Sequence, residues 1–362
     1  MTSRVAVIGG GWYGCHIATS LMALGLEVRL FEQHGRLLHE ASGNNQFRLH
    51  LGFHYARHHG TRIQSRDGYN RFMERYSGLS REIAENIYAV PHEDSLIDWQ
   101  TYKLIMTSTG LNYREVSPMS VGLHHMDGVM MVDERVLLIE KSRNYFKALL
   151  GNSLTLSSRV DSIVDKGGHV EVDGEVYDFV VDATWGHKER LPVNVFYEPT
   201  LLLYYEGNVD QPAITMVDGP LCSIYPTEDV NIYTLSSVPY TPVGTCQTSQ
   251  DARRMRDSVD SSLVNAKREL MEAQISRYVP DFGDRYKFLG PQLAIKTKPV
   301  GKFDDRSCGV YQDGRIFNVM SGKIDTIFVA SERILSFIQS FSTKSAEDSF
   351  SPLKQEILGL KV

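Results

Sequence analysis

Gly9, Gly11 and Gly14, spaced as Gly-x-Gly-x-x-Gly, and Glu32, 18 residues after the last of them, are the residues whose types and spacing speak most directly of chemistry. Gly9 permits a tight turn, Gly11 leaves room for a pyrophosphate beside the N–H groups of a helix N-terminus, and Gly14 lets helix and strand approach. Glu32 can accept hydrogen bonds from both hydroxyls of a ribose, which suits FAD or NAD and argues against the 2′-phosphate of NADP. Trp12 and Tyr13 after the second glycine and Gln33 after the acid fall in the same expected contact region. A second group follows in the run Asn45 to Tyr55, where Arg48, His50 and His54 alternate with apolar residues. An arginine can hold an anion and an imidazole can take a proton near neutrality. These three are therefore candidates to line an active site, or else hydrogen-bonded supports around the dinucleotide phosphates.

Those residues need elements to position them. Val5 to Ile8 reads as an apolar strand, His16 to Ala23 as a helix and Glu27 to Phe31 as a second strand, which is the strand–turn–helix setting that the glycine pattern requires. The period of two over Gln46 to Arg57 predicts an extended strand with one apolar and one polar face. A helix is expected over 67–87, with Phe72, Leu79 and Ile83 buried, and short strands over 98–131. Asp133 is placed as the N-cap of a long helix carrying Val136, Leu137, Tyr145, Phe146 and Leu149 at core spacing. A β-meander then leads from Leu154 into the apolar strand ending Asp182-Ala183-Thr184-Trp185-Gly186. Antiparallel strands are expected over 200–240, one amphipathic helix over 250–279 and further strands over 286–300. A last strand over Gly314 to Val319, a turn at Ser321-Gly322-Lys323 and a helix from Ile324 to Phe341 close the chain.

Composition narrows the classes. A length of 362 residues suits two joined domains or one large α/β unit. A net charge of −6 supplies no basic footprint for nucleic acid, which makes that partner unlikely without excluding a local basic groove. No apolar run nears the about 20 residues that cross a bilayer, and the first core strand begins at Val5, so a cytoplasmic protein without membrane contact is expected. Cys15, Cys222, Cys246 and Cys308 form no Cys-x-x-Cys pair, which removes a disulfide framework and a zinc ribbon. His54 and His58 are four apart, a metal-ligand spacing only on a helix, and no acidic or cysteine ligand stands nearby, so no metal is expected.

Three separated features, the glycine pattern with Glu32, the strand and turn Val180 to Gly186, and the late strand, turn and helix around Gly322, together resemble the D-amino-acid oxidase, glycine oxidase and sarcosine oxidase family of FAD-dependent oxidoreductases. The resemblance is one of motif order, weakest through 187–300. It implies an α/β (α+β overall) fold, with a Rossmann-like FAD-binding domain formed by 1–87, 130–186 and 296–362. An antiparallel-sheet substrate domain would comprise 88–129 and 187–295. By the same resemblance Ser42, Asn44, Asn45, Gln46 and Arg48 wrap the FAD phosphates and reach toward the isoalloxazine, and Val160 supplies a backbone contact. Ala183, Thr184 and Gly186 would pass close to the cofactor, with Trp185 as an added residue in the turn. Ser321, Gly322, Lys323 and Ile324 would sit at the flavin pyrimidine end.

The activity so implied is oxidation of a carbon–nitrogen bond of an amine or amino acid, with hydride transfer to flavin N5, imine hydrolysis and reoxidation by oxygen. Arg48 and Lys323 would bind an anionic group and His50 or His54 would take the amine proton. Two other readings stay open. One is a flavoenzyme acting on an amino or hydroxyl group of a carrier-bound substrate, such as an activated sugar or a modified nucleobase; the other is a flavin-binding protein without catalysis. Cys308 lies where some members attach flavin through a thioether, but it reads first as a buried, unreactive thiol. Lys296 and Lys298 are placed either near the flavin or facing solvent.

Overall fold

A computed structural model describes residues 3–189, 191–209, 211–301, 306–320 and 322–341. Val5, Ala6 and Val7 are fully buried in the strand Arg4–Ile8, which pairs in parallel with Glu27–Phe31 on one side and Phe179–Asp182 on the other. Phe179–Asp182 pairs in parallel with Ile316–Met320, and Glu27–Phe31 with Leu154–Thr155. Gly309–Asp313 closes the far edge as an antiparallel hairpin partner of Ile316–Met320, making six strands. The parallel strands are apolar along their length because helices cover them: Trp12–Ala23, Ile139–Leu150 and the helix at 327–341 share one hydrophobic core with them. The carboxyl ends of Arg4–Ile8, Glu27–Phe31 and Phe179–Asp182 lie side by side, and in such sheets that edge is where ligands bind.

The second large sheet has eight strands in the order Tyr286–Pro299, Val195–Gly207, Ile232–Ser237, Cys222–Pro226, Ala213–Met216, Asn86–Pro91, Met126–Met131 and Arg114–Val116. All its pairings are antiparallel except that of Ala213–Met216 with Asn86–Pro91. Ser261–Ser276 covers one face through Val264, Met271 and Ile275. A small sheet, Arg48–Leu49 with Arg135–Leu137 and Ser80–Arg81, stands beside both and sets the path of the chain into the site. The eight-stranded sheet begins at Asn86 and ends at Pro299, so it overruns the expected boundaries at 87 and 295 by a few residues. Among the described residues no helix is long and apolar enough to cross a membrane.

Several expectations are corrected. The helix expected over 67–87 runs instead over His59–Tyr76, because the His58 imidazole accepts the Thr61 N–H and caps it; a 3-10 turn at Ser77–Leu79 ends it. Residues 98–131 contain the helix Trp99–Ser108, capped by Asp98 accepting the Thr101 N–H at 2.9 Å. Asp133 caps no helix among the described residues. Arg135–Leu137 is a strand, and the helix Ile139–Leu150 starts six residues after Asp133, with the Glu228 carboxylate accepting its Glu140 N–H. Tyr145 and Leu149 are consequently exposed while Phe146 is buried. The expected meander splits, because Leu154–Thr155 and Phe179–Asp182 join the six-stranded sheet and the three strands Ile163–Asp165, Val170–Val172 and Glu175–Tyr177 form a sheet of their own. The helix expected over 250–279 is two, Ser249–Asp257 and Ser261–Ser276, because Asp260 caps a new start by accepting the Leu263 N–H.

His16, fully buried in the first helix, shows what the core demands of a titratable side chain. Its ring nitrogens meet the Tyr76 hydroxyl at 2.8 Å and the Ser331 hydroxyl at 3.1 Å, and burial, helped by Arg75 and Arg71, lowers its pKa to about 3. The folded protein therefore refuses a proton that the unfolded chain accepts below about pH 6.5, and stability is lost as pH falls through that value. A His16→Gln variant is expected to be less stable than the parent at pH 7.5, with the gap closing by roughly 2 kcal/mol on going to pH 5. Denaturant melts of both proteins at the two pH values measure this; a gap independent of pH would show that His16 takes up a proton in the fold as readily as in the unfolded chain.

Candidate active site

The turn after Arg4–Ile8 brings the glycine pattern to the sheet edge. Gly9 takes a φ of +103°, and a Cβ on Gly14 would sit 1.8 Å from the Gly9 carbonyl oxygen, so the first helix can press against the turn only with glycine there. Gly11 is the N-cap of the helix and offers no side-chain cap, which leaves the helix N-terminus to Ser42, whose Oγ accepts the Trp12 N–H at 3.2 Å. Glu32 is buried at the end of its strand; Oε2 accepts the Gly10 N–H at 2.7 Å and Oε1 the His34 N–H at 2.8 Å, so the carboxylate is fixed with lone pairs to spare. Burial pushes its pKa up, and the two N–H donors oppose this.

Two cavities follow this edge and share Gly11, Ala41, Ser42, Ala183 and Trp185, so they form one trough. The smaller, of about 160 Å³, is lined by Gly9, Glu32, Gln33, Val160 and Thr184. The larger, of about 620 Å³, is lined by Trp12, Tyr13, Asn44, Asn45, Gln46, Arg48, His50 and His54 from the first half of the chain, and by Gly322, Lys323 and Ile324 from the second. Ser321 lies outside the described residues. Gly186 lines neither cavity: its carbonyl accepts the Tyr197 hydroxyl, and Trp185, at a φ of +61°, takes the place beside the trough. Asp182 builds that turn by accepting the N–H groups of Thr184 at 2.8 Å and Glu189 at 3.0 Å. The Trp12 ring is core, packed on Phe72 and Phe146, so only its backbone end meets the trough. Asn44 and Asn45 shape the loop through bonds to the carbonyls of His39, Glu40, Ala41 and Ser42. Gln46 ties it to the eight-stranded sheet at the Ser223 and Thr234 carbonyls.

Only Arg48 and Leu49 of the expected strand Gln46 to Arg57 are extended and paired. The rest is an irregular loop, Phe47 having a φ of +56°, whose polar positions face the cavity together with the buried Tyr55 while Phe47 and Phe53 are packed in the core. Arg48 still meets His50 and His54. Its guanidinium lies over the Tyr225 ring at 4.2 Å and donates to Gln46 Oε1 at 3.1 Å. His50 Nε2 is 3.3 Å from Lys323 Nζ, and Lys323 Nζ sits over the Tyr55 ring at 4.8 Å. The Lys323 carbonyl accepts the Tyr13 hydroxyl at 2.5 Å, tying the late turn to the first helix. A Cβ on Gly68 would stand 1.8 Å from the Asp325 carbonyl oxygen, so the helix His59–Tyr76 also backs this turn at glycine range.

Burial and surrounding cations set the protonation. His50 and His54 are held well below the usual imidazole range, by burial first and then by Lys323, with Arg48 adding to both. Lys323 and Lys296 are each lowered to about 8 by burial, which the positive charges of Arg48 and of Lys298 and Arg306 respectively reinforce. The inner end is thus a cationic pocket holding two neutral imidazoles. Lys296 and Lys298 both line the cavity, Lys298 being paired there to Glu198 at 2.5 Å. Cys308 lines neither cavity and is buried in the core beneath the first helix, which removes the thioether position from the trough. Tyr225 supports Arg48, Tyr204 bonds Gln292, and Tyr205 and Tyr233 are core. His58 is the helix cap described above, and the described residues hold no cluster of three metal-ligand side chains.

Sequence reasoning missed Glu134. It is 1% exposed, accepts the Leu51 N–H at 2.7 Å and the Tyr88 hydroxyl at 2.8 Å, and stands 3.9 Å from His50 Nδ1. Burial raises its pKa to about 7. With His50 neutral and a separation of 3.9 Å, which is longer than a hydrogen bond, this is an acid poised beside an imidazole rather than an ion pair. The signal was the alternation Val132, Glu134, Val136, which turns all three inward once the segment is extended.

A sequence profile described as FAD dependent oxidoreductase (DAO) matches residues 4–288. The chain belongs to this DAO family. FAD is its cofactor, and the residues fit it: the fixed Glu32 carboxylate for a ribose, the helix N-terminus at Gly11, beside Ser42, for phosphate, and a trough continuing to Lys323. Arg48 Nε, His54 Nδ1, Tyr55 OH and Trp185 Nε1 are buried along this DAO trough with no hydrogen-bond partner among the described residues, as groups awaiting a ligand would be. The chain is 59% identical over 338 residues to the FAD-dependent monooxygenase FPY4 of Fusarium mangiferae, covering 93% of this chain and 92% of that one. Its fold is similar to glycine oxidase from Geobacillus kaustophilus (TM-score 0.66, 16% identity, 92% and 93% of the two chains). It is also similar to L-α-glycerophosphate oxidase from Mycoplasma pneumoniae (TM-score 0.72, 13% identity, 92% and 94%). The protein is an FAD-dependent oxidoreductase.

Proposed function

We propose that the enzyme oxidises the carbon–nitrogen bond of a small or carrier-bound amine that bears a carboxylate or similar anion, with oxygen as the final acceptor. The observation that carries this is the pairing of Arg48 and Lys323 with two neutral imidazoles, His50 and His54, in one cavity. The cations supply a seat for the anion and weaken the hold of a neighbouring ammonium on its proton, so the amine is presented neutral. His50 or His54 takes the proton that leaves nitrogen. Bound FAD supplies the hydride acceptor. The wall from Leu202 to Met216 and Val217 excludes water from the carbon that loses hydride, and the imine then hydrolyses on release.

Oxygen insertion is the second reading, and the monooxygenase name of the 59%-identical relative favours it. The purified flavoprotein should be mixed anaerobically with amino acids, secondary amines, amino sugars, hydroxy acids, NADH and NADPH while the visible flavin band is followed. Bleaching by an amine alone, with peroxide formed on readmitting air, is expected. Bleaching only by NADH or NADPH, with 18O from labelled oxygen in the product, would replace the proposal with monooxygenation. Bleaching by hydroxy acids alone would move the bond to carbon–oxygen, and failure of every reductant would favour a non-catalytic flavin protein.

A further inference from the structure

Leu96 and Val238 are 63% and 60% exposed, yet both line the larger cavity, which no other large apolar residue of comparable exposure among the described residues does. Scattered exposed apolar side chains are ordinary on a soluble protein. These two are braced. The Leu96 N–H donates to the Asp218 carbonyl at 2.6 Å, the Asp218 N–H to Ser95 Oγ at 3.0 Å, and the Val238 N–H to the Leu221 carbonyl at 2.8 Å. A Cβ on Gly219 would touch the Leu96 side chain at 3.0 Å, so Leu96 lies flat on that loop. With the exposed Pro220, and with buried Leu221 beneath them, they make a fixed apolar lip on a cavity whose inner end holds Arg48, Lys296 and Lys323.

Water-exposed apolar surface held in place at the mouth of a cationic pocket has one economical use, which is to cover an apolar part of what the pocket binds. We propose that the substrate is amphiphilic: an anionic head seated at the inner cations and an alkyl or aryl tail lying across Leu96, Pro220 and Val238. This rests on the cationic seat proposed above and names the class of substrate that fills it. It also separates this enzyme's needs from those of a site for a compact polar molecule, which would leave the lip bare.

The test is binding, so it does not depend on turnover. Straight-chain carboxylates from acetate to octanoate are titrated into the flavin-loaded protein, with calorimetry and the shift of the visible flavin band as readouts. Once the chain is long enough to reach the lip, each further methylene is expected to tighten binding by roughly two- to fourfold, the upper figure being full burial of a CH2. In a Leu96→Ser/Val238→Ser double variant that dependence should flatten to near unity. Leu104→Ser, at an equally exposed leucine outside both cavities, should keep it. Flavin content and melting temperature confirm that each variant is folded. Affinity that ignores chain length, a double variant that keeps the dependence, or no binding of any carboxylate would each overturn the inference. Loss of amine oxidation with the chain-length dependence intact would overturn only the reaction proposed above.

Discussion

Alanine at Gly14 is expected to produce protein that retains little or no flavin. Its Cβ would stand 1.8 Å from the Gly9 carbonyl oxygen and 3.0 Å from its carbon, and neither is the end of a flexible side chain that can swing aside. The helix Trp12–Ala23 must back away from the turn, and its N-terminus, where the FAD pyrophosphate is expected to sit, moves with it. Overpacking of this kind costs about 1–3 kcal/mol or more even without a ligand. With the N–H groups expected to meet phosphate displaced, the loss in FAD affinity should exceed about 100-fold, equivalent to roughly 2.7 kcal/mol. The ratio of flavin to protein absorbance after gel filtration reports it directly. Gly283→Ala, where the new Cβ meets nothing within 4 Å, is the matched control and should keep its flavin. Full occupancy in the Gly14 variant would mean that the cofactor does not depend on this approach.

The second large effect tests His50, one of the two imidazoles proposed to take the substrate's proton. His50→Asn should slow flavin reduction by the true substrate by about 10²- to 10⁴-fold, the usual range for removing a general base, with flavin content unchanged. Glu134 should then shape the pH dependence. Its carboxyl is raised from an ordinary 4.5 to about 7, so it is neutral below that pH and charged above it. The charged form stabilises a protonated His50 at 3.9 Å, so the parent enzyme should quicken as pH rises through about 7, and Glu134→Gln should abolish that step while keeping an acceptor for the Leu51 N–H. Stability provides an independent check. A raised carboxyl contributes stability that is fully present below its unfolded value and is lost as pH rises through the folded one. Glu134→Gln should therefore gain on the parent above pH 7, by up to roughly 3 kcal/mol, and lose that advantage near pH 4.5. Identical pH profiles and identical melts for the two proteins would leave Glu134 as a plain support for Leu51.

How much of this could be read from the chain follows from the range of the forces involved. The first strand, the glycine turn and the first helix follow from patterns local in sequence, and with Glu32 they pointed to a dinucleotide; that it is FAD was expected from the resemblance carried by the order of the three motifs. Where a segment takes its conformation from distant partners, local pattern misled. The alternation in Gln46 to Arg57 reflects a cavity on one side and core on the other, and the backbone is held from afar by Glu134 and Val136 rather than by a neighbouring strand along its length. The helix Ile139–Leu150 owes its start to Glu228, 88 residues later, where the sequence pointed to Asp133. Trp99–Ser108 is rich in residues that favour strands, and only the Asp98 cap betrayed it.

The site divides in the same way. Arg48, His50 and His54 were legible as candidates because their types suit the chemistry and they lie close in sequence. Their meeting with Lys323, 273 residues from His50, was expected only through a family resemblance, and Glu134 was not expected at all. The sequence by itself determined that the chain would cradle a dinucleotide, since a glycine turn and one acid do that locally. Which protons the site can move, and which end of a substrate it can hold, were decided only by the tertiary structure, because pKa shifts and apolar exposure depend on what the rest of the chain buries around each group.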